Sequence, residues 1–207
     1  MRIAVINEVS ASEKNKDILA ALSELSESQI QNVGMSCPAD APQLTYIHTG
    51  LMAAVLLWEK KTDMVIGGCG TGQGFLNAAM QYPGVFCGLI IDPLDAWLFS
   101  QINGGNCVSL PLNKGYGWAG DINLKYLIRE LFRDEAGRGY PPARSESQAQ
   151  SRALLKEISG KTHKSMTEII QALEPSMLRL VAESSAFMDL IKGTPCAEAI
   201  NARVKEI

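Results

Sequence analysis

Asp63-Met64-Val65-Ile66-Gly67-Gly68-Cys69-Gly70-Thr71-Gly72-Gln73-Gly74 is the stretch on which the fold turns. A short apolar, β-branched run enters a segment with five glycines in eight residues. Residues 74–82 then read as helix up to Pro83-Gly84. A strand, a glycine loop and a helix in that order form the first part of a parallel βαβ unit, with the loop at the carboxyl end of its strand.

The same alternation extends in both directions. Upstream, residues 2–6 read as a strand, 12–28 as a helix and 30–33 as a short strand. A loop carrying Cys37, Pro38 and Pro42 comes next, and residues 45–60 form an apolar helix closing on Glu59-Lys60-Lys61. Downstream, residues 85–91 are the clearest strand, stopped by Asp92-Pro93. Helix is expected over 94–102, strand over 107–110 and helix over 121–133. Strands separated by helices predict a three-layer, doubly wound, Rossmann-like α/β sandwich with a mainly parallel sheet and right-handed crossovers. Ligands on such sheets bind beyond the carboxyl ends of the strands.

Around residues 137–151 the composition turns to Gly, Pro, Ser and Arg, which argues against a core element there. Helical patterns follow over about 150–158, 164–173, 176–191 and 195–206, with no further strand. The expected organisation is an α/β unit over residues 1–145 and a helical C-terminal extension over 146–207, packed on the same core or on another subunit.

Of the 207 residues, 46% are hydrophobic and 20% charged, the balance of an ordinary globular protein. Nineteen basic against twenty-two acidic residues give a net charge of −3, so nothing global favours nucleic acid or an anionic membrane. The longest apolar runs, 51–58 and 85–91, are too short to span a bilayer. The N-terminus opens as a strand rather than as a leader. Cysteines 37, 69, 87, 107 and 196 are scattered without a Cys-x-x-Cys pair, the pattern of neither a disulfide scaffold nor a zinc site. A cytoplasmic protein is expected.

Glycines in the 67–74 loop permit positive φ and let backbone N–H groups approach a ligand; the helix that follows favours an anion. Two familiar loops do not fit. A phosphate-binding Walker loop ends in Gly-Lys-Ser/Thr, but Gly74 is followed by Phe75. In the dinucleotide pattern the third glycine would fall on Gln73 or Phe75. What remains is a thiol, Cys69, beside a helix N-terminus with the Thr71 hydroxyl two residues on, a setting for a base or nucleophile. The alternative is a small buried residue ending a strand, with the glycines making a tight turn. Glu8, at the carboxyl end of the first strand, is placed to bond a polar ligand or to act as a helix-dipole or surface carboxylate.

Several of these residues resemble a known family. The opening strand, Cys69-Gly-Thr-Gly-x-Gly, Ala78-Ala79, the Pro93 turn, and Asn103 with Asn106 resemble the type B ribose-5-phosphate and galactose-6-phosphate isomerases over roughly residues 1–145. The resemblance implies aldose–ketose isomerisation of a sugar phosphate through an enediolate, with no metal and no cofactor. It implies Cys69 as the base, with Thr71 and the N–H groups of Gly70, Gly72, Gln73 and Gly74 at the oxyanion. Asn7, Glu8, Tyr46 and Asn103 would contact the sugar. Arg138 and Arg144 would hold the phosphate, often from the neighbouring subunit of a homodimer or homotetramer. His48, next to the Tyr46 segment, is a candidate acid or base in the same site or a helix cap.

The sequence also departs from the family pattern. Asn7-Glu8 replace Asp-His, Ile102 replaces a ring-opening histidine, and Gln81 replaces a lysine. These departures fall on ring opening and phosphate recognition and leave the isomerising centre in place. They keep open a second reading, a non-catalytic or partner-dependent subunit that binds a sugar phosphate. A flavodoxin-like phosphate or flavin binder is a third.

Overall fold

A computed structural model describes residues 1–25 and 28–207. Its sheet has five strands, β1 (Arg2–Asn7), β2 (Gln29–Asn32), β3 (Met64–Cys69), β4 (Cys87–Leu89) and β5 (Cys107–Pro111), all parallel in the order β2-β1-β3-β5-β4. Every residue of β3 is buried, as an apolar run in the middle of a parallel sheet requires. Side chains alternate across the sheet. Ala4, Ile6 and Val65 enter one face, Ile3, Val5 and Ile66 the other.

Helices cover both faces. On the Ala4 face lie α2 (Tyr46–Trp58) and α3 (Gln73–Ala79). On the Val5 face lie α1 (Asn15–Leu22), α4 (Pro93–Leu98) and α5 (Gly120–Leu131). This is the doubly wound sandwich expected from the sequence. Local chemistry sets its boundaries. The Asp92 side chain accepts from Asp95 N at 2.9 Å and Pro93 occupies the first helical position, so the chain passes from β4 to α4 over three residues.

The extension supplies α6 (Ser145–Thr162), α7 (Met166–Ala172), α8 (Pro175–Glu183), α9 (Ser185–Ile191) and α10 (Pro195–Val204). Met166, Ile170, Leu178, Val181, Phe187, Ile191, Cys196 and Ile200 are buried in one continuous cluster with Leu51, Leu56 and Ile6. The last four helices therefore pack on the α2 side of the same core. Among the described residues no helix is long and apolar enough to cross a membrane.

Four expectations are corrected. The 85–91 run pairs only over Cys87–Leu89, because β4 is an edge strand; Phe86 N is taken by the Asn106 side chain at 2.8 Å. The helix expected over 12–28 is a 3₁₀ turn, Val9–Lys14, leading into α1, and its residues 26 and 27 lie outside the described residues. The single helix expected over 176–191 is two, broken at Ser184, whose backbone is extended. Residues 145–151 are helical: α6 begins at Ser145 and buries no side chain, so hydrophobic periodicity could not reveal its start.

Candidate active site

β1 is followed by a helix on one face of the sheet and the neighbouring β3 by a helix on the other, so a crevice opens between their carboxyl ends. Asn7 and Glu8 line it from β1, and both are buried. Among the described residues the Asn7 carboxamide has no hydrogen-bond partner for either its nitrogen or its oxygen. Leaving such a group unpaired costs about 1–3 kcal/mol. Glu8 Oε1 accepts from the Ser10 hydroxyl, which in turn accepts from Gly70 N at 3.1 Å. Asn113, just past β5, donates to Ser10 O at 2.8 Å, and its own N–H reaches Gly70 O at 3.0 Å. Ser10 and Asn113 belong to the crevice although neither stands out in the sequence. The available signal was their position after strands whose carboxyl ends gather there.

The glycine loop turns on Gly72. Its φ is +76°, and a Cβ there would sit 2.5 Å from Leu89 Cδ1 and 3.0 Å from Pro111 N. Ser109 donates to Gly72 O and locks the turn onto β5. Three of the loop N–H groups are occupied: Gly70 by Ser10, Gly72 by Cys69 O at 3.3 Å, and Gln73 by Thr71 Oγ1 at 3.3 Å. Those of Thr71 and Gly74 have no acceptor among the described residues. Cys69 ends β3 almost fully buried, with its Sγ 4.0 Å from Thr71 Oγ1. The Thr71 and Gln73 side chains face solvent. A thiol, a hydroxyl and two unpaired N–H donors thus share one turn, the set that proton transfer next to a developing oxyanion calls for.

Tyr46 and His48 approach from the start of α2. The Tyr46 ring lies about 3.0 Å from where a Gly74 Cβ would be, so only the bare backbone admits it. His48 Nδ1 accepts from Thr45 N at 3.0 Å, completing the cap of α2, which leaves the proton of the neutral ring on Nε2. Burial lowers the His48 pKa, so the ring is kept neutral.

The remaining expected residues lie elsewhere. Asn103 precedes β5, whose far end, Pro111, is the partner of Cys69. The strand between spans about 13 Å. Arg138, paired with Glu135 at 3.4 Å, and Arg144, 3.4 Å from Ser147 Oγ, are exposed on the arm that joins α5 to α6. That arm is tied to the Asn103 turn, since Gly137 N donates to Ser100 O at 2.8 Å and Gly139 N to Gln101 O at 2.9 Å. One chain therefore brings Asn7, Glu8, Tyr46, Cys69 and Thr71 together and holds Asn103 and Arg138 at the opposite end of the sheet. Asn106 is structural, donating to Gly84 O at 2.8 Å. Gln81 is spent on Asn77 O within its own helix turn.

Comparison with known proteins agrees with this architecture. The model of the ribose/galactose isomerase family matches residues 3–135. A 4-deoxy-L-threo-5-hexosulose-uronate ketol-isomerase, solved with a tartrate, is 37% identical, with a TM-score of 0.90, over 100% of this chain and 98% of its own. A ribose-5-phosphate isomerase from Vibrio parahaemolyticus is 36% identical, with a TM-score of 0.91, over 100% and 98%. The type B ribose 5-phosphate isomerase of Leishmania infantum, at 16% identity and a TM-score of 0.66, covers 78% of this chain and 98% of its own, and shares the fold. No curated protein sequence matches. A family match over most of the chain, joined to full-length relatives that are isomerases, makes this chain a member of the ribose/galactose isomerase family and an aldose–ketose isomerase.

Proposed function

We propose that the chain interconverts an aldose and a ketose sugar phosphate through an enediolate, with Cys69 as the base. The observation that carries this is the turn itself: a buried thiol, a hydroxyl 4.0 Å away and two N–H groups without acceptors among the described residues. The Cys69 thiolate takes the proton from C2 of the open-chain aldose. The C–H electron pair forms the C1–C2 double bond, and the carbonyl pair moves onto O1. Thr71 and the free N–H groups stabilise that oxyanion. Return of the proton from sulfur to C1, as the O2 proton passes to O1 and the O2–H electron pair becomes the new carbonyl bond, yields the ketose.

Asn7 and Glu8 bond the sugar hydroxyls in this reading. Tyr46, Gly74 and Gln73 form the rim, and His48 offers its Nε2–H as a donor. Asn103, Arg138 and Arg144, remote from Cys69 in their own chain, come from a second copy in a homodimer or a homotetramer. There an arginine fork holds the substrate anion.

The full-length likeness to a uronate ketol-isomerase favours a second reading of the substrate, a sugar acid whose carboxylate takes the place of the phosphate. Both readings are tested by one experiment. The purified chain is mixed in heavy water with aldose and ketose phosphates and with uronates, and deuterium at C1 and C2 is followed by NMR. Exchange with one class, lost in Cys69→Ala, is expected, and the class that exchanges names the anion. Wild-type exchange in Cys69→Ala removes the thiol from the mechanism. Ligand-induced shifts without exchange in any sugar would make the chain a binding subunit.

A further inference from the structure

The structure assigns Arg152, on α6 of the extension, as the positioning residue for the substrate arm. The inference rests on the proposed roles of Asn103 and Arg138. After α4 the chain continues as a π turn, Phe99–Asn103, ended by Gly104 at φ +51°. Such turns leave main-chain carbonyls without helical partners. Here three successive carbonyls are satisfied from outside: Ser100 O by Gly137 N, Gln101 O by Gly139 N, and Ile102 O by Arg152 Nη1 at 2.9 Å. The other arm of the same guanidinium, Nη2, donates to Gly137 O at 2.7 Å.

One half-buried side chain therefore ties the turn that ends in Asn103 to the segment that carries Arg138. No acidic residue among the described residues pairs with Arg152, so its charge is spent on two neutral carbonyls. An arginine used this way fixes geometry through its rigid fork. The two residues it flanks are presented outward: Asn103 is exposed and its carboxamide has no hydrogen bond among the described residues, while Arg138 is exposed between Gly137 and Gly139. The backbone is held, and of the two side chains only Arg138 has a partner among the described residues, the exposed Glu135 carboxylate at 3.4 Å. Arg152 thereby gives the C-terminal extension a part in substrate recognition, because α6 sets the distance between the two groups.

The test uses the full chain and measures isomerisation of ribose 5-phosphate and of 4-deoxy-L-threo-5-hexosulose uronate. Arg152→Gln is expected to raise KM on the order of tenfold to a hundredfold, the loss of about one charge-assisted contact to the substrate, with kcat changed little. Arg152→Lys, which reaches one carbonyl at a time, is expected to fall between the two and stands in if the glutamine variant does not fold. In an Asn103→Ala/Arg138→Ala background the same substitutions should leave kcat/KM unchanged, because nothing remains to be positioned. An equal loss in both backgrounds would make Arg152 a general structural residue, and an unchanged KM in the wild-type background would also overturn the assignment. Either result leaves the isomerase reading standing, whereas no turnover of either sugar by the wild type overturns both.

Discussion

Replacing Gly72 with alanine puts one methyl group at the junction of the glycine loop, β4 and β5. The backbone there has φ +76°, a conformation that costs an L-residue about 1–2 kcal/mol. The new Cβ would lie 2.5 Å from Leu89 Cδ1, the far end of a flexible side chain, and 3.0 Å from Pro111 N, which belongs to the sheet backbone. Crowding of this kind adds about 1–3 kcal/mol. Together the two effects place the loss of stability at about 2–5 kcal/mol, read as a lower urea midpoint at unchanged slope. Catalysis should suffer separately. Gly72 O holds both Ser109 and Leu76 N, so a shifted turn moves the neighbouring Thr71 and Gly74 donors. Loss of one oxyanion donor lowers kcat by about a hundredfold to a thousandfold, measured by deuterium exchange at saturating sugar below the unfolding range. A Gly72→Ala protein within about 0.5 kcal/mol of wild type and equally active would refute the argument that this left-handed turn holds the donors in place.

Two further outcomes follow from burial. The His48 pKa lies below its ordinary 6.5 because the ring is desolvated, so the folded chain binds that proton less tightly than the unfolded one. Its stabilising contribution is complete above about pH 6.5 and is lost as pH falls through the lowered folded value. The urea midpoint of wild type should therefore drop more between pH 7 and pH 5 than that of His48→Gln; parallel curves would clear His48. Phe187→Ala should remove about 3–5 kcal/mol from global unfolding in a single transition, since Phe187 is fully buried in the cluster that includes α2. Separate melting of the extension, with the rest unchanged, would contradict a shared core.

Much of the molecule was legible in residues 63–74. A β-branched run, a glycine cluster and a helix are local events, governed by backbone sterics within a few residues, and they point to a parallel α/β sheet with a thiol at a strand end. The edge position of β4 was not legible, because 85–91 has the same apolar character whether one strand or two lie beside it. The start of α6 was hidden for another reason. The helix is polar on nearly every side, so propensity and the Pro141-Pro142 lead-in set its beginning without a buried stripe.

The site divides along the same line. Residue order along the chain determined which groups sit at a strand's carboxyl end: Asn7 and Glu8 after β1, Cys69 and Thr71 after β3. Each is fixed by its own strand's direction. Strand order and long-range hydrogen bonds decided the rest. Only the tertiary structure sets Asn103 and Arg138 at the opposite end of the sheet from Cys69, gives the Gly70 N–H to Ser10 and brings Arg152 onto the Asn103 turn. Those arrangements join residues as far as sixty positions apart, a distance over which local pattern carries no information and packing alone chooses the partner.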